Sequence, residues 1–294
     1  MSEKPLFAVS EGTTYHAPFI NELAEYPKAD VHGIGLWEFK LEGDRDAERS
    51  AALADAGLSA TFCFPLTPGI FTGNGHFAHP KDAAARLQML KESVKRFSVF
   101  NPVAVCILAG APQGGDSTDS RRRVVAAFKE VIDVAKDAGV KLALEVISPG
   151  SAGSLVQTIP QAADLIADAG GEGTIGVLLD NWHIADEPLE NIREYIDVIA
   201  GIQVCDRAPG NPGRFDRALP GQGVLPVEGV IRTAHDAGYR GWYELEIFSD
   251  DGTFGEPLPD PMWQWPTARL LDEGKAAFDS VYAAATAPRA TVAD

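Results

Sequence analysis

Four oxygen-bearing side chains stand at or near the ends of apolar segments in the second half of the sequence. Glu145 lies in LALEV, Asp180 in VLLDNWH, Gln203 in IQVCD and Glu246 in YELEIF. Burying several carboxylates close together costs much free energy unless a cation compensates their charge. Three carboxylates and one amide oxygen form a hard, all-oxygen donor set, which favours Mn²⁺ or Mg²⁺, with Co²⁺ as a third candidate. We therefore predict that these four residues bind a divalent metal.

Two alternatives bear on this prediction. A lone residue of this kind is more often a capping or ion-paired group at a strand end, but four of them on consecutive segments argue against that interpretation. Glu244 is a rival to Glu246, because side chains two residues apart on a strand point to the same face. We prefer Glu246, which lies closer to the end of its segment.

A hard metal beside two glutamates suits proton transfer at a carbon next to a carbonyl group. The metal chelates the carbonyl and a neighbouring hydroxyl oxygen and stabilises the enediolate that forms, while one glutamate removes a proton and the other returns one. Return to the opposite face of the same carbon is epimerisation, and return to the neighbouring carbon is isomerisation. If a β-leaving group departs after the same first step, the overall reaction is that of a lyase.

The elements that must position these residues are short apolar segments separated by loops and amphipathic stretches. Eight segments are typical of strands, several of them apolar throughout, as in parallel strands covered on both faces. They are Leu6–Val9, Val31–Trp37, Ala60–Phe64, Val103–Leu108, Lys141–Val146, Ile175–Leu179, Ile199–Val204 and Trp242–Phe248. Eight such steps predict one α/β domain over residues 1–294, a (β/α)8 TIM barrel, with a frayed tail after about residue 283. Active residues of such barrels lie at the C-terminal ends of the strands.

Composition limits the partners. The 294 residues include 25 Lys and Arg against 42 Asp and Glu, a net charge of −17, which disfavours nucleic acid and anionic membrane surfaces. The sequence has no apolar run of about 18 residues, and its first residues do not resemble a signal peptide. Its three cysteines lie in apolar runs and indicate buried free thiols. We expect a cytoplasmic protein.

The ligand pattern resembles the xylose-isomerase-like superfamily of TIM barrels, whose members bind one divalent metal. The resemblance extends from the second to the eighth predicted strand, and Glu145, Asp180 and Glu246 match three family ligands. Gln203 stands where many members have His, as it does in hydroxypyruvate-isomerase-like and 3-dehydroshikimate-dehydratase-like members. The resemblance implies that Glu145 and Glu246 are both ligands and the catalytic acid/base pair, with Lys40 or His183 as alternatives for part of the acid/base role.

Further residues are candidates for substrate binding. The D-x-x-H segment from Asp180 to His183 and the R-x-x-P-G-x-G segment that begins at Arg217 resemble family segments in which the His and the Arg contact substrate oxygens. A packing His and a solvated Arg in a Pro-Gly turn are the alternatives. At the end of the second predicted strand, Trp37 is expected to stack on a sugar face and Lys40 to bind a hydroxyl or carboxylate, with a solvated Lys40 as the alternative.

The favoured hypothesis is a metal-dependent isomerase or epimerase of a small, unphosphorylated sugar or keto-acid. The alternative is a metal-dependent lyase, either a dehydratase of a cyclic keto-polyol or a C-glycoside-deglycosidase-like enzyme that eliminates from a 3-oxo-glycoside. Two features of the sequence support the lyase alternative: Gln203, and a set of aromatic residues expected at the rim of the barrel. These aromatic residues are Trp37, Trp182, Trp263 and Trp265. A repair endonuclease fits poorly with the charge, and a non-catalytic barrel fits poorly with three matching carboxylates. The sequence leaves a homodimer or a heteromer open.

Overall fold

The structure is a computed structural model that describes residues 4–71, 79–112, 117–148, 154–210, 213 and 215–288. Nine parallel strands form one sheet. They are β1 (Leu6–Ser10), β2 (Gly33–Gly35), β3 (Ser59–Ala60), β4 (Phe62–Cys63), β5 (Ala104–Ile107), β6 (Leu142–Glu145), β7 (Ile175–Asp180), β8 (Ile199–Val204) and β11 (Trp242–Leu245). Their order in the sheet is β3-β2-β1-β11-β8-β7-β6-β5-β4. A separate antiparallel pair joins β9 (Asp206–Arg207) to β10 (Arg217–Ala218).

The sheet closes on itself at Thr61. This residue separates β3 from β4, and its N–H donates to Ile34 O on one side while its carbonyl accepts from Ala104 N on the other. The segments β3 and β4 therefore act as one strand that joins β2 to β5, and the nine segments occupy eight positions. The predicted (β/α)8 barrel is confirmed, and each of the eight predicted strands is present.

Helices follow the barrel strands and cover the outside of the sheet. They are α1 (Phe19–Glu25), α2 (Asp46–Asp55), α3 (Ala83–Phe97), α4 (Ser117–Ala138), α5 (Ile159–Asp168), α6 (Leu189–Glu194), α7 (Val227–Asp236) and α8 (Thr267–Thr286). The last helix continues past residue 283, and residues 289–294 lie outside the described part. None of the helices in the described ranges is long and apolar enough to cross a membrane.

The apolar strand residues divide between two cores because side chains alternate along a strand. A large cluster between the sheet and the helices includes Val105, Leu144 and Leu179. A smaller cluster includes Ala143 and Leu178, which belong to the inward-facing set. The same alternation turns the residues two positions further along β6 and β7 into the barrel, at its C-terminal mouth.

Candidate active site

The four predicted metal ligands meet at this mouth. Glu145 ends β6 and Asp180 ends β7, each two residues beyond an inward-facing residue. Gln203 lies on β8 in register with Asp180, and Glu246 directly follows β11. All four are buried, with exposed fractions of 6% for Glu145, 0% for Asp180, 3% for Gln203 and 4% for Glu246. Neighbouring parallel strands thus place three carboxylates and an amide at one end of the barrel.

His183 lies beside two of these carboxylates. A turn after β7, in which His183 N donates to Asp180 O, returns the imidazole towards the strand end. Its Nε2 atom is 3.7 Å from Asp180 Oδ2 and 3.9 Å from Glu145 Oε1, and Nδ1 is 3.1 Å from Ser148 Oγ. Ligand atoms of Glu145, Asp180 and His183 all lie within 4.8 Å of one another. The D-x-x-H spacing therefore brings a nitrogen donor into a site that the sequence predicted as oxygen-only.

Arg217 bridges two of the acids. Its Nη2 atom donates to Asp180 Oδ2 at 2.7 Å, and its Nη1 atom donates to Glu246 Oε2 at 3.1 Å. The guanidinium also lies over the Phe248 ring, 4.6 Å from its centroid, and over Trp182 at 5.4 Å. Arg217 is 3% exposed. It is therefore part of the site and not a solvated residue of a turn.

The amide of Gln203 is orientated by two acceptors. Its Nε2 atom donates to Glu244 Oε1 and to Glu246 Oε1, both at 3.1 Å. This leaves Gln203 Oε1 buried without a hydrogen-bond partner. A buried acceptor without a donor costs about 1–3 kcal/mol. A cation would satisfy this oxygen and offset the charge of the nearby carboxylates, so the residues present fit a divalent metal.

Burial and mutual repulsion raise the pKa values of the carboxyl groups. Burial raises the pKa of Glu145 well above its ordinary value, and the charges of Glu246 and Asp180 raise it further. Burial raises the pKa of Glu246 to about 8 against the opposing effect of Arg217, while Asp180 adds to the rise. A carboxyl group whose pKa lies near neutrality, as that of Glu246 does, is matched to exchanging protons at neutral pH, and burial shifts the pKa of Glu145 in the same direction.

Glu244 lies deeper than its rival. Thr61 Oγ1 donates to its Oε2 atom and Gln203 Nε2 to its Oε1 atom, and the side chain is fully buried. The carboxylate covers Gly35 so closely that a Cβ atom there would lie 2.5 Å from Glu244 Oε2. Burial raises the pKa of Glu244 to about 7. Glu244 therefore supports Gln203 from below, whereas Glu246 contacts Arg217 at the mouth.

Trp37 and Lys40 have different environments. Trp37 stacks on Phe64 with ring centroids 4.8 Å apart and donates its indole N–H to Ser10 Oγ at 2.9 Å. Ser10 Oγ is 3.5 Å from Glu246 Oε1, so Trp37 forms one wall of the site. Lys40 Nζ instead contacts Glu22 Oε1 at 2.5 Å, and the Lys40 side chain is 9% exposed. The Lys40 ammonium group therefore forms a buried ion pair with Glu22.

Three residues outside the predicted set support the site, namely Asp206, Asn181 and Ser10. Asp206 accepts backbone N–H groups from Arg207, Gly223 and Leu225, which fixes the loop that carries Arg217. Asn181 exchanges two hydrogen bonds with the backbone of Cys205 and joins the ends of β7 and β8. The position of Asp206 just after the apolar run IQVC indicates a residue at the barrel mouth, whereas no sequence pattern distinguishes Ser10.

Comparison with known proteins agrees with this architecture. Residues 24–275 match the family described as xylose isomerase-like TIM barrel. The chain belongs to this family. The resemblance inferred from Glu145, Asp180 and Glu246 is thereby confirmed at the level of the family.

Individual relatives are more distant. The inosose isomerase of Halalkalibacterium halodurans is 26% identical over 186 residues, which cover 61% of this chain and 64% of that protein, so the chain spans less than two thirds of this relative. A structure of L-ribulose 3-epimerase has a TM-score of 0.78 at 18% identity, covering 96% of each chain. The IOLI protein, whose crystal structure contains a zinc atom, has a TM-score of 0.77 at 16% identity and covers 96% of this chain and 99% of its own. At these identities the structural similarity concerns the fold.

Proposed function

We propose that this member of the family is a divalent-metal-dependent isomerase or epimerase that acts on a small sugar or a related keto-polyol or keto-acid. The observation that carries the proposal is the convergence of Glu145 and Glu246, both with raised carboxyl pKa values, at one barrel mouth with Asp180 and Arg217. The inosose isomerase and the L-ribulose 3-epimerase among its relatives support the same reaction class.

Glu145, Asp180, Gln203 and Glu246 are the proposed metal ligands, with His183 as an additional donor beside Glu145 and Asp180. When bound, a divalent ion polarises the substrate carbonyl and stabilises the negative charge that develops on its oxygen. The oxygen-rich donor set favours Mn²⁺ or Mg²⁺ and accepts Co²⁺. The imidazole of His183 adds affinity for softer ions, and the zinc in the IOLI structure is consistent with that addition.

Glu145 and Glu246 are the proposed acid and base. One carboxylate removes the proton from the carbon next to the substrate carbonyl, and the other carboxyl group returns a proton to the resulting enediolate. Arg217 holds the Glu246 carboxylate through Oε2 and shares its charge with Asp180. Arg217 presents an N–H group to substrate oxygens, His183 does so where its Nε2 atom is not a metal ligand, and Trp37 presents an apolar ring to the carbon skeleton.

Charge favours a substrate without phosphate. At the mouth, the carboxylates of Glu145, Asp180 and Glu246 face the guanidinium of Arg217, whose Nη1 and Nη2 atoms already bond Glu246 and Asp180. Lys40, the other cation predicted to face substrate, is paired with Glu22. A neutral polyol ketone, which presents hydroxyl groups and apolar C–H surface, is therefore the preferred substrate class.

Deuterium exchange followed by NMR tests the proposal. The Mn²⁺-loaded protein is incubated in D₂O with unphosphorylated ketoses, inososes and keto-acids, beside an EDTA-treated sample. We expect metal-dependent deuterium at a carbon next to the carbonyl and formation of the isomer or epimer. Loss of water or of an aglycone assigns the protein to the lyases, and absence of exchange over the whole panel rejects the proposal.

Variants connect that result to the site. Glu145→Gln and Glu246→Gln remove a proton acceptor with little change in shape and are expected to lower the exchange rate by about 10²-fold or more. Glu38→Gln is the matched control, since Glu38 is also buried but is bonded to Ser93 Oγ and Leu66 N outside the acid cluster. Full exchange in either active-site variant would remove that residue from the acid/base pair.

A further inference from the structure

The hydroxyl group of Ser10 occupies a constrained position between Trp37 and Glu246. Ser10 ends β1, is 1% exposed and pairs with Gly35 on β2. Its Oγ atom accepts the indole N–H of Trp37 at 2.9 Å and the backbone N–H of Gly12 at 3.1 Å. The same atom lies 3.5 Å from Glu246 Oε1.

A serine hydroxyl can accept two hydrogen bonds and donate one. Because two N–H groups occupy both acceptor positions of Ser10, its own hydrogen is directed to the remaining neighbour, Glu246 Oε1. The separation of 3.5 Å is long for such a bond, as catalytic hydrogen bonds often are before substrate binds. The direction of the donor is nevertheless set by its two N–H partners.

Trp37 is itself fixed at two ends. Its ring stacks on Phe64 at an interplanar angle of 18°, and its backbone N–H donates to Glu11 Oε2 at 2.6 Å. Glu11 is fully buried directly after Ser10 in the sequence. The carboxylate of Glu11 therefore anchors the residue whose indole group orientates the Ser10 hydroxyl.

Glu11 belongs to a buried charge cluster of Glu11, Glu22 and Lys40. Lys40 Nζ lies 2.5 Å from Glu22 Oε1 and 3.7 Å from Glu11 Oε1. Two carboxylates against one ammonium leave one negative charge, and Glu11 Oε1 and Glu22 Oε2 are buried without a hydrogen-bond donor. A proton on Glu11 removes that charge and supplies the missing donor. The cluster also contains Thr14, whose hydroxyl bonds Glu22 Oε1 and Tyr26 OH.

We propose that Ser10 is a positioning residue for Glu246, and that the buried cluster of Glu11, Glu22 and Lys40 holds it in this role through Trp37. The role assigned to Glu246 rests on the proposed function. Ser10 and Gln203 hold Oε1 of this carboxylate while Arg217 holds Oε2, so the plane of the proton-transferring group is fixed from both sides.

Kinetics of three variants test the proposal. Ser10→Ala removes the donor, and Trp37→Phe removes the indole N–H that orientates it but keeps an aromatic ring. Each is expected to lower kcat by about tenfold or more, and Ser10→Ala, which leaves the Trp37 wall intact, should keep KM within about twofold, since orientation of the base acts on the transition state. In the double variant the two losses should not add, because both act through one hydroxyl.

Thr13→Ala is the matched control. Thr13 is a fully buried neighbour whose hydroxyl bonds Leu245 O and Ile247 N, on the backbone instead of the carboxylate. The stability of the Thr13→Ala protein shows the effect of removing a buried hydroxyl group at the rim of the barrel. A Ser10→Ala protein with wild-type kcat, or losses that add fully in the double variant, would overturn the proposal.

An NMR measurement separates this proposal from the proposed function, because it needs no substrate. The protein contains five Trp, and Trp37→Phe identifies the indole ¹⁵N–H signal of Trp37. We expect that signal to move in Glu246→Gln and in Glu11→Gln, while the indole signal of Trp265, which donates to Asp260, stays in place. An unmoved Trp37 signal overturns the positioning role even if exchange activity is found. Movement in a protein without exchange activity rejects the proposed function alone.

Discussion

Arg217 and Asp180 form a buried ion pair in which Nη2 lies 2.7 Å from Oδ2, with the two side chains 3% and 0% exposed. The same guanidinium reaches Glu246 Oε2 at 3.1 Å. Arg217 therefore supplies positive charge to two proposed metal ligands at once. The contribution of Arg217 to stability therefore depends on whether a bound metal ion also compensates the charge of these carboxylates.

The first prediction concerns Arg217→Met in the metal-free protein. Removing one partner of a buried ion pair leaves uncompensated charge and costs about 3–5 kcal/mol. We expect a lower Tm in EDTA and a larger rise of Tm on adding Mn²⁺ than in the wild type, because the ion supplies the missing charge. Differential scanning calorimetry measures both.

Arg96→Met is the control for that experiment. Arg96 bonds Asp46 in an ion pair away from the site, so its loss should lower Tm by an amount that Mn²⁺ does not restore. Equal gains from Mn²⁺ in the wild type and in Arg217→Met would contradict the charge-sharing role of Arg217.

The second prediction concerns protons released by metal binding. Burial raises the pKa of Glu246 to about 8, so this group largely holds its proton at pH 7 in the metal-free protein, and burial raises the pKa of Glu145 as well. Metal binding requires ionised carboxylates and must displace bound protons. Mn²⁺ affinity should therefore increase as pH rises from 6 towards about 8.

Isothermal titration calorimetry in two buffers with different ionisation enthalpies counts the released protons. We expect net release at pH 7 that decreases towards pH 9, where Glu246 is already ionised. Glu246→Gln is the matched comparison, since it removes one titrating group and should release fewer protons. Affinity independent of pH would contradict the protonated state of these carboxyl groups.

The barrel was predictable because its evidence is repeated along the chain. Parallel strands buried on both faces give continuous apolar runs such as VAVCIL, and several of the helices that follow end at Gly. Gly139, at the end of α4, has a φ of 70°, which glycine adopts without strain. Glu145 and Asp180 were predictable for the same reason, since strand alternation and the rim position follow from the fold.

The contacts of Lys40 were not predictable because they join distant parts of the chain. The residues around Lys40 in the sequence do not indicate that its partner is Glu22, which lies on α1. A cation at a strand end is equally typical of a residue that contacts substrate. Ser10 presents the same difficulty, because its importance comes from Glu246, 236 residues away. Such partners are determined by barrel closure and not by local spacing.

The third prediction concerns Gln203→His. The wild-type amide donates to both Glu244 and Glu246, whereas one imidazole nitrogen bound to metal leaves a single N–H for these two acceptors. A second imidazole beside His183 also makes the donor set softer, so preference should shift from Mn²⁺ and Mg²⁺ towards Zn²⁺ and Co²⁺. Competition between equal concentrations of these ions, followed by metal analysis of the protein, measures the shift. Unchanged metal ratios would argue against residue 203 as a ligand.

The last prediction separates Glu11 from Glu22. Burial raises the pKa of Glu11 well above its ordinary value of 4.5, and the charge of Glu22 raises it further, while Lys40 opposes the rise. A folded-state pKa above the unfolded value contributes stability that is complete below the unfolded pKa and is lost as pH rises through the folded pKa. Glu11→Gln keeps a neutral donor and acceptor at this position, so it should flatten the decline of the free energy of unfolding above pH 4.5. Urea unfolding at a series of pH values measures it.

Glu22→Gln is the matched substitution in the same cluster, and the opposite result is expected. Glu22 Oε1 is the closest carboxylate oxygen to Lys40 Nζ, at 2.5 Å, whereas Glu11 Oε1 is 3.7 Å away. Neutralising Glu22 forces Glu11 to ionise as the remaining partner of the ammonium or leaves a buried cation unpaired, which costs about 3 kcal/mol or more. Glu22→Gln should therefore be less stable than Glu11→Gln at neutral pH. Equal destabilisation by both substitutions would mean that the two carboxylates share the charge of Lys40 equally, and the proton would then not reside on Glu11.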